Sequence, residues 1–162
     1  MSSWLTHPTP FELGCDGPRA IVVGIDDSPT SLRALDYAAG LARRQGARLV
    51  AVHVRPRRAM HCSLDPYGYR GSGDAARAAL DAQDALEGEL RAEVGRLAQL
   101  WGVGIDLVVR NGDPLRELTA VAADQHADSV VVGASTRPGS RVAGSVAARL
   151  VRRRRWPVTV VP

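Results

Sequence analysis

The sequence predicts an α/β fold in which an open, five-stranded parallel sheet carries helices on both faces. Short, continuous apolar runs are typical of strands buried on both sides, and amphipathic segments of helical period separate them. Strict alternation of strand and helix favours a parallel sheet with right-handed crossovers. Aromatic residues make up only 4% of the chain, so Val, Leu, Ala and Ile must form the core. With 162 residues, the chain has the size of one domain.

Each predicted element follows from a local pattern. Helices are expected to begin at Ser28-Pro29 and at Asp113-Pro114, because Ser and Asp cap helix N-termini and Pro suits the first helical position. Gly46 is expected to end the first helix. The predicted strands are 19–26, 48–54, 103–109, 128–133 and 157–161, and the predicted helices are 28–46, 74–100, 113–126 and 142–155.

Two segments lack a periodic pattern. Residues 1–18 are polar and interrupted by prolines, and we interpret them as a flexible N-terminal tail before a domain at 19–162. Residues 55–73 are predicted to form a long surface loop, whose order the sequence leaves open. The start of the chain has no signal-peptide pattern, and no apolar run reaches the about 18 residues of a membrane span. Cys15 and Cys62 form no disulfide framework, so a cytoplasmic location is expected.

Arginine supplies all of the positive side-chain charge, histidine aside. All 21 basic residues are arginines, and the net charge is +4. High Ala, Arg and Gly without lysine indicates a GC-rich coding bias, so we expect no nucleic-acid partner. The run at 152–155 falls at the end of a predicted helix, where cations complement the negative helix end. Contact with a polyanion or an acidic partner is the alternative for this run.

The segment 130–161 carries a chemical signal. A strand ends at Gly133, a loop of small residues follows, and Gly144-Ser145 opens a helix. A helix N-terminus offers free N–H groups and a positive dipole end to a phosphate, and glycine lets the backbone approach a ligand closely. Ser145 adds a hydroxyl donor. Glycine is also the usual turn residue, so the residues alone leave a simple turn open.

Several motifs, in order, resemble those of universal stress proteins. The end of the chain is similar to a signature with a strand ending in Val-Val-Gly, then Gly-x-x-Gly, nine residues, Gly-Ser or Gly-Thr, a helix and a closing Pro-Val-x-Val-Val strand. IVVGIDDSPTS (21–31), AVHV (51–54) and NGDP (111–114) resemble the opening strand, the second strand and a helix start of that family. The resemblance covers most of 19–162 and implies a Rossmann-like fold of the adenine nucleotide alpha-hydrolase kind.

The resemblance also implies an adenine-nucleotide site at the carboxyl ends of the strands, with ATP as the leading candidate and Mg²⁺ carried by the nucleotide. Asp26 would contact the base or ribose, Val54 would pack on the adenine, and Ser145 would bind phosphate. The full implied set is Gly24, Ile25, Asp26, Val54, Val132, Gly133, Gly139, Gly144, Ser145 and Val146. The implied function is a stress-response module that binds the nucleotide and signals through an unknown protein partner.

This chain departs from the signature in its last loop. Thr136 stands where the second glycine of Gly-x-x-Gly is expected, and seven residues, two fewer than in the signature, separate it from Gly144. Gly139 could supply the flexibility, although Pro138 stiffens the turn. The alternative function is therefore a universal stress protein that binds no nucleotide and acts as a protein-interaction module.

The candidate residues also have purely structural interpretations. Asp26 could only cap the first helix, Val54 could belong to the core, Gly133 could only make a turn, and Ser145 could cap the last helix. His53 lies inside an apolar strand and is interpreted as a structural histidine.

No catalytic constellation is apparent in the sequence. It contains no Ser-His-Asp set and no paired-carboxylate motif, and a chain without lysine has no Walker lysine. We therefore predict a binding protein rather than an enzyme; slow ATP hydrolysis is a third alternative that rests on fold analogy. The His and Cys residues form no spaced metal motif, so no metal site is expected. The closing strand Val158–Val161 would lie at a sheet edge, and the resemblance implies a homodimer through it.

Overall fold

The structure, a computed structural model, describes residues 20–26, 28–55, 72–135 and 146–162. Strands and helices alternate along this part of the chain, and the order of elements that the sequence predicts is confirmed. The elements are β1 (Ala20–Ile25), α1 (Pro29–Gln45), β2 (Arg48–Arg55), α2 (Ser72–Trp101), β3 (Ile105–Asn111), α3 (Pro114–Asp124), β4 (Ser129–Gly133), α4 (Val146–Arg153) and β5 (Val158–Val161). None of the described helices is long and apolar enough to cross a membrane.

The five strands form one sheet in the order β3-β2-β1-β4-β5. Every pair is parallel, as predicted. The chain builds outward from β1 to β3 and then returns to the other side of β1, so the strand order reverses between β1 and β4. In open sheets of this type, ligands bind at the carboxyl ends of the strands beside such a reversal.

Helices cover both faces of the sheet and divide the core into two clusters. The first core cluster lies between the sheet and α1 and α2, and the second lies between the sheet and α3 and α4. Successive side chains of a strand point to opposite faces of the sheet, so each inner strand contributes residues alternately to the two clusters. The first cluster includes Ile21, Val23, Ile25, Leu35, Leu49, Leu90 and Val131, and the second includes Val22, Val50, Val52, Leu118, Val130, Val132 and Leu150.

The helix ends follow the capping chemistry of the sequence. The Ser28 side chain accepts a hydrogen bond from the N–H of Ser31 at the start of α1, and Gly46 ends this helix in the left-handed region, with φ 66°. Asp113 caps α3 by accepting from the N–H of Arg116 at 3.0 Å. The helix α4 ends before Arg154, which takes φ 53°.

Several boundaries differ from the predicted ones. The predicted strand 103–109 is observed as β3 at Ile105–Asn111, because Val103 packs into the core before the ladder begins and polar residues continue the ladder at this sheet edge. Both ends of the predicted loop 55–73 belong to regular elements instead. Arg55 is the last residue of β2, and α2 begins at Ser72. Leu90, Val94 and Leu97 form the buried stripe of α2.

Candidate functional site

The carboxyl ends of β1, β2 and β4 lie side by side. Ile25 of β1 pairs with His53 of β2, and Gly24 pairs with Val132 of β4. Asp26 directly follows Ile25, and Val54 directly follows His53, so both residues come one position after the last β1–β2 pair, at the carboxyl ends of these strands. Adjacent strands are about 4.8 Å apart. The fold thus brings the candidate ribose or base contact next to the candidate adenine contact.

Asp26 is exposed and its conformation is fixed by the start of α1. Its carboxylate oxygen Oδ1 accepts from the N–H of Ser28 at 2.9 Å. Its backbone N–H donates to the Ser31 hydroxyl at 3.1 Å, and its carbonyl oxygen lies 2.7 Å from the same hydroxyl. The helix-capping interpretation of Asp26 is wrong, because Ser28 is the side-chain cap of α1 and Asp26 accepts from the N–H of that capping residue instead. A carboxylate can accept about four hydrogen bonds, so these contacts are compatible with a ligand contact as well.

Apolar side chains from β2, β4 and α4 form an apolar wall on the face of the sheet that α3 and α4 cover. Val54, Val132 and Val146 all pack in or against the second core cluster. A Cβ added at Gly24 would lie 3.2 Å from Leu118 Cδ1 and 3.4 Å from Val132 Cγ1, so this glycine lets α3 approach β1 closely.

Two other candidate residues turn away from this wall. The Ile25 side chain is buried in the first core cluster. A Cβ added at Gly133 would lie 2.7 Å from the carbonyl carbon of Thr30 and 2.8 Å from the nitrogen of Ser31, so the backbone of α1 occupies that side of Gly133. A ligand could meet Ile25 and Gly133 only through their backbone groups.

The remaining candidates belong to the last loop. Gly139, Gly144 and Ser145 lie outside the described residues, as does Thr136. The described part of α4 begins at Val146, whose side chain is partly buried against the second core cluster.

His53 has the structural role that the sequence indicates. It is 7% exposed, and its Nδ1 atom lies 3.2 Å from the carbonyl oxygen of Ile25. Because a carbonyl oxygen only accepts, Nδ1 carries the proton in this contact. His53 thereby links the last residue of β1 to the neighbouring strand.

Ion pairs connect the carboxyl end of β2 to α2. Arg55, the last residue of β2, forms ion pairs with Glu87 and Asp84 of α2, and Arg91 bonds the second oxygen of Glu87 at 2.8 Å. The Nε atom of Arg55 is buried without a hydrogen-bond partner among the described residues. The network links the end of β2 to α2.

A second contact joins the starts of α3 and α4. Arg149 lies 3.4 Å from Oδ1 of Asp113. The hydrogen bond from the N–H of Arg116 lowers the pKa of Asp113; partial burial opposes this and the Arg149 charge adds to it. Asp113 is thus held ionised as the cap of α3.

The arginine run is exposed, as expected of a solvated helix end. Arg152 and Arg153 line an open depression together with Arg149 and Leu115. Arg155 stacks on Trp156, with its guanidinium carbon 4.7 Å from the ring centroid. Among the described residues, no group of three His, Cys, Asp or Glu side chains is placed to hold a metal ion.

Sequence reasoning did not single out Ser31 as part of the site. Ser31 is 4% exposed and contacts both backbone groups of Asp26. The sequence does contain a signal for it, the pair Ser28 and Ser31 at the start of a helix. Neither residue is charged or belongs to a catalytic motif, so the pair indicates only helix capping.

Comparison with known proteins identifies the family. A sequence model described as the universal stress protein family matches residues 18–162. The chain belongs to the universal stress protein family. It is 29% identical over 150 residues to the universal stress protein MJ0531 of Methanocaldococcus jannaschii, covering 88% of this chain and 81% of that protein. The family resemblance inferred from the motifs is confirmed.

Solved universal stress proteins share the fold. The UspA protein of Lactobacillus plantarum superimposes with a TM-score of 0.72 at 26% identity, covering 90% of this chain and 99% of that one. A universal stress protein solved in complex with cAMP superimposes with a TM-score of 0.65 at 26% identity, covering 90% and 98%. A Burkholderia pseudomallei family member gives 0.64 at 29% identity, covering 88% and 95%.

Proposed function

We propose that this universal stress protein binds an adenine nucleotide at the carboxyl ends of β1, β2 and β4. The observation that carries the proposal is Asp26: an exposed carboxylate that accepts from the N–H of Ser28 and directly follows the last β1–β2 pair, as Val54 does on β2. The carboxylate would accept hydrogen bonds from the ribose hydroxyls or the base, and the aliphatic wall would cover the adenine. The similar protein that holds cAMP supports an adenine nucleotide as the ligand class.

The proposed ligand is ATP, with any Mg²⁺ carried on its phosphates. The phosphates would extend toward the start of α4, where Gly139, Gly144, Ser145 and the backbone of Val146 would hold them. Gly24, Ile25 and Gly133 would line the site with their backbone groups, beside Val132 of the apolar wall. In this proposal the protein is a cytoplasmic binding module rather than an enzyme, and occupancy of the site is passed to a protein partner.

The proposed assembly is a homodimer through β5. The N–H of Val130 bonds the carbonyl of Pro157, and the N–H of Ala134 bonds the carbonyl of Val161. Backbone groups of a strand alternate in direction, so those of Val158 and Val160 point away from β4. Val160 is also 44% exposed. An apolar edge of this kind favours pairing with a second copy.

A family member that binds no nucleotide is the second candidate. The loop sequence favours it, because Thr136 replaces a glycine of the signature and the loop is two residues shorter. In that case the fold would present its edge and helices to a partner without a ligand.

Nucleotide analysis separates the two candidates. Freshly purified protein is denatured, released nucleotide is identified by chromatography and mass spectrometry, and ATP, AMP and cAMP are titrated calorimetrically. The proposal predicts one adenine nucleotide per chain. Absence of both released nucleotide and binding heat at millimolar concentration would favour the second candidate.

The variant Asp26→Asn tests the site itself. Asn keeps the acceptor for the N–H of Ser28 but removes the negative charge, so the fold is expected to survive. A hydrogen bond to a charged group contributes about 1.5–3 kcal/mol, so affinity should fall about 10- to 100-fold. Asp124→Asn, which makes the same change in charge at the exposed end of α3, is the matched control and should bind like the wild type.

A further inference from the structure

The backbone of Asp26 is held by one side chain from α1. Ser31 accepts from the N–H of Asp26 at 3.1 Å, and its hydroxyl lies 2.7 Å from the Asp26 carbonyl oxygen and 2.9 Å from the Ser28 carbonyl oxygen. The single hydroxyl proton is shared between these two carbonyls, while a lone pair takes the amide proton. A single hydroxyl therefore contacts the groups on both sides of the Asp26 Cα atom.

Ser31 is buried and is held in place by Ser28 and by the end of β4. It is 4% exposed, and its backbone N–H donates to the Ser28 hydroxyl at 3.2 Å. The close approach of Gly133 to the backbone of Thr30 and Ser31 seats the first turn of α1 against the end of β4. Ser31 thus transmits the position of two elements, α1 and β4, to the end of β1.

The neighbouring strand holds the other half of the same peptide unit. The peptide bond between Ile25 and Asp26 has its N–H on the Ser31 hydroxyl and its carbonyl oxygen 3.2 Å from His53 Nδ1. Contacts on both sides of the bond restrict rotation of this peptide plane, and the plane sets the direction in which the Asp26 side chain leaves the backbone.

We propose that Ser31 is a positioning residue for ligand binding: it holds the backbone of Asp26 so that the carboxylate is oriented for the nucleotide before the nucleotide arrives. This inference rests on the proposed function and adds a residue that does not itself touch the ligand. A site ordered in advance does not lose conformational freedom on binding, so loss of the Ser31 hydroxyl weakens affinity even where the fold is intact.

Ser31→Ala and Ser28→Ala form a matched pair at the same helix end. Ser28→Ala removes the side-chain cap of α1 but leaves the N–H that bonds the Asp26 carboxylate and leaves the Ser31 hydroxyl in place. Both variants are expected to destabilise the start of α1. Only Ser31→Ala removes the contacts to the Asp26 backbone, and each lost hydrogen bond corresponds to about a 5-fold change in affinity.

The test measures ATP affinity by calorimetry and the hydrogen exchange of the Asp26 amide by NMR. The proposal predicts that Ser31→Ala binds ATP about 5- to 30-fold more weakly than Ser28→Ala and exchanges the Asp26 amide faster, and that Ser31→Thr restores both. Ser31→Cys, whose thiol is only a weak hydrogen-bond donor and acceptor, replaces the alanine variant if that one does not fold.

The outcomes separate this inference from the proposed function. Equal affinity and equal Asp26 exchange in Ser31→Ala and Ser28→Ala, with a wild type that binds, would overturn the inference and leave the proposed function standing. A wild type that binds no ATP, AMP or cAMP would overturn the proposed function and, with it, the positioning role, whatever the exchange data show.

Discussion

Gly133 lies so close to Thr30 that a Cβ added to it would be 2.7 Å from the Thr30 carbonyl carbon. The obstacle is helix backbone, not a flexible side chain, so it cannot move aside locally. The contact explains why β4 ends in glycine independently of any ligand. It also places the first turn of α1, with its contacts to Asp26, at the point where the strand order reverses.

Gly133→Ala is therefore expected to destabilise the protein. Forcing a methyl group into a closely packed contact costs about 1–3 kcal/mol in free energy of unfolding. Gly95→Ala is the matched control, since a Cβ at Gly95 in α2 meets nothing within 4 Å and alanine favours a helix by about 1 kcal/mol. Urea denaturation should shift in opposite directions for the two variants. A Gly133→Ala variant as stable as the wild type would mean that the contact is not tight.

The pKa of Asp113 should respond to Arg149 only in part. Its largest cause of lowering is the N–H of Arg116, which remains when Arg149 is replaced. Arg149→Gln should raise the pKa but leave it below its ordinary value of 3.8. NMR titration of the carboxyl carbon measures this, with Arg153→Gln as the control. A return to the ordinary value would show that Arg149, not the capping bond, dominates.

The lowered pKa of Asp113 predicts that the free energy of unfolding decreases as the pH falls. A carboxylate whose folded-state pKa is depressed stabilises the fold above its unfolded-state pKa, and this contribution is lost as the pH falls through the folded-state value. Denaturation curves of the wild type and Asp113→Leu should therefore differ at neutral pH and converge toward the acid end. A constant difference across that range would argue against an ionised cap.

Glu87 and Glu93 allow a comparison of two ion pairs on the same helix. Arg55 and Glu87 both have side chains that are 19% exposed, whereas Arg96, the partner of Glu93, is 59% exposed. Glu87→Gln should lower the free energy of unfolding by about 1–3 kcal/mol, because it weakens the pairing of a largely buried guanidinium. Glu93→Gln should leave stability nearly unchanged in thermal and urea denaturation. Equal losses in the two variants would show that burial of the Arg55 pair is unimportant.

The proposed dimer can be tested at Val160. A lysine on an edge strand disfavours pairing with another chain, so Val160→Lys should convert a dimeric wild type into a monomer in light scattering. Val151→Lys is the control, because Val151 is an exposed apolar residue on α4 rather than on the edge strand. A monomeric wild type, or a Val160→Lys variant that remains dimeric, would contradict assembly through β5.

The order and type of every described element followed from the sequence, because apolar runs, helical periodicity and caps such as Ser28 and Asp113 are local signals. The strand order did not, since it depends on pairings between residues far apart in the chain. The start of β3 was predicted two residues early, because Val103 is buried like a strand residue without being in the ladder.

The candidate site was predictable only where a residue type suggests chemistry. Asp26 and Val54 were singled out through the family resemblance, and each directly follows one member of the last β1–β2 pair, Ile25 and His53. The tight approach of Gly133 to α1 and the contacts of Ser31 arise from tertiary packing, which no sequence pattern encodes. The contacts of Ser31 can therefore be recognised only in the folded structure.

An NMR titration of the amide signals with ATP and Mg²⁺ examines the proposed nucleotide site directly. Saturable shifts are expected at Asp26, Val54 and Val146 with one nucleotide per chain, and little change is expected at Arg152 and Arg153. No shifts up to millimolar nucleotide, or shifts confined to those two arginines, would contradict an adenine-nucleotide site at the carboxyl ends of the strands.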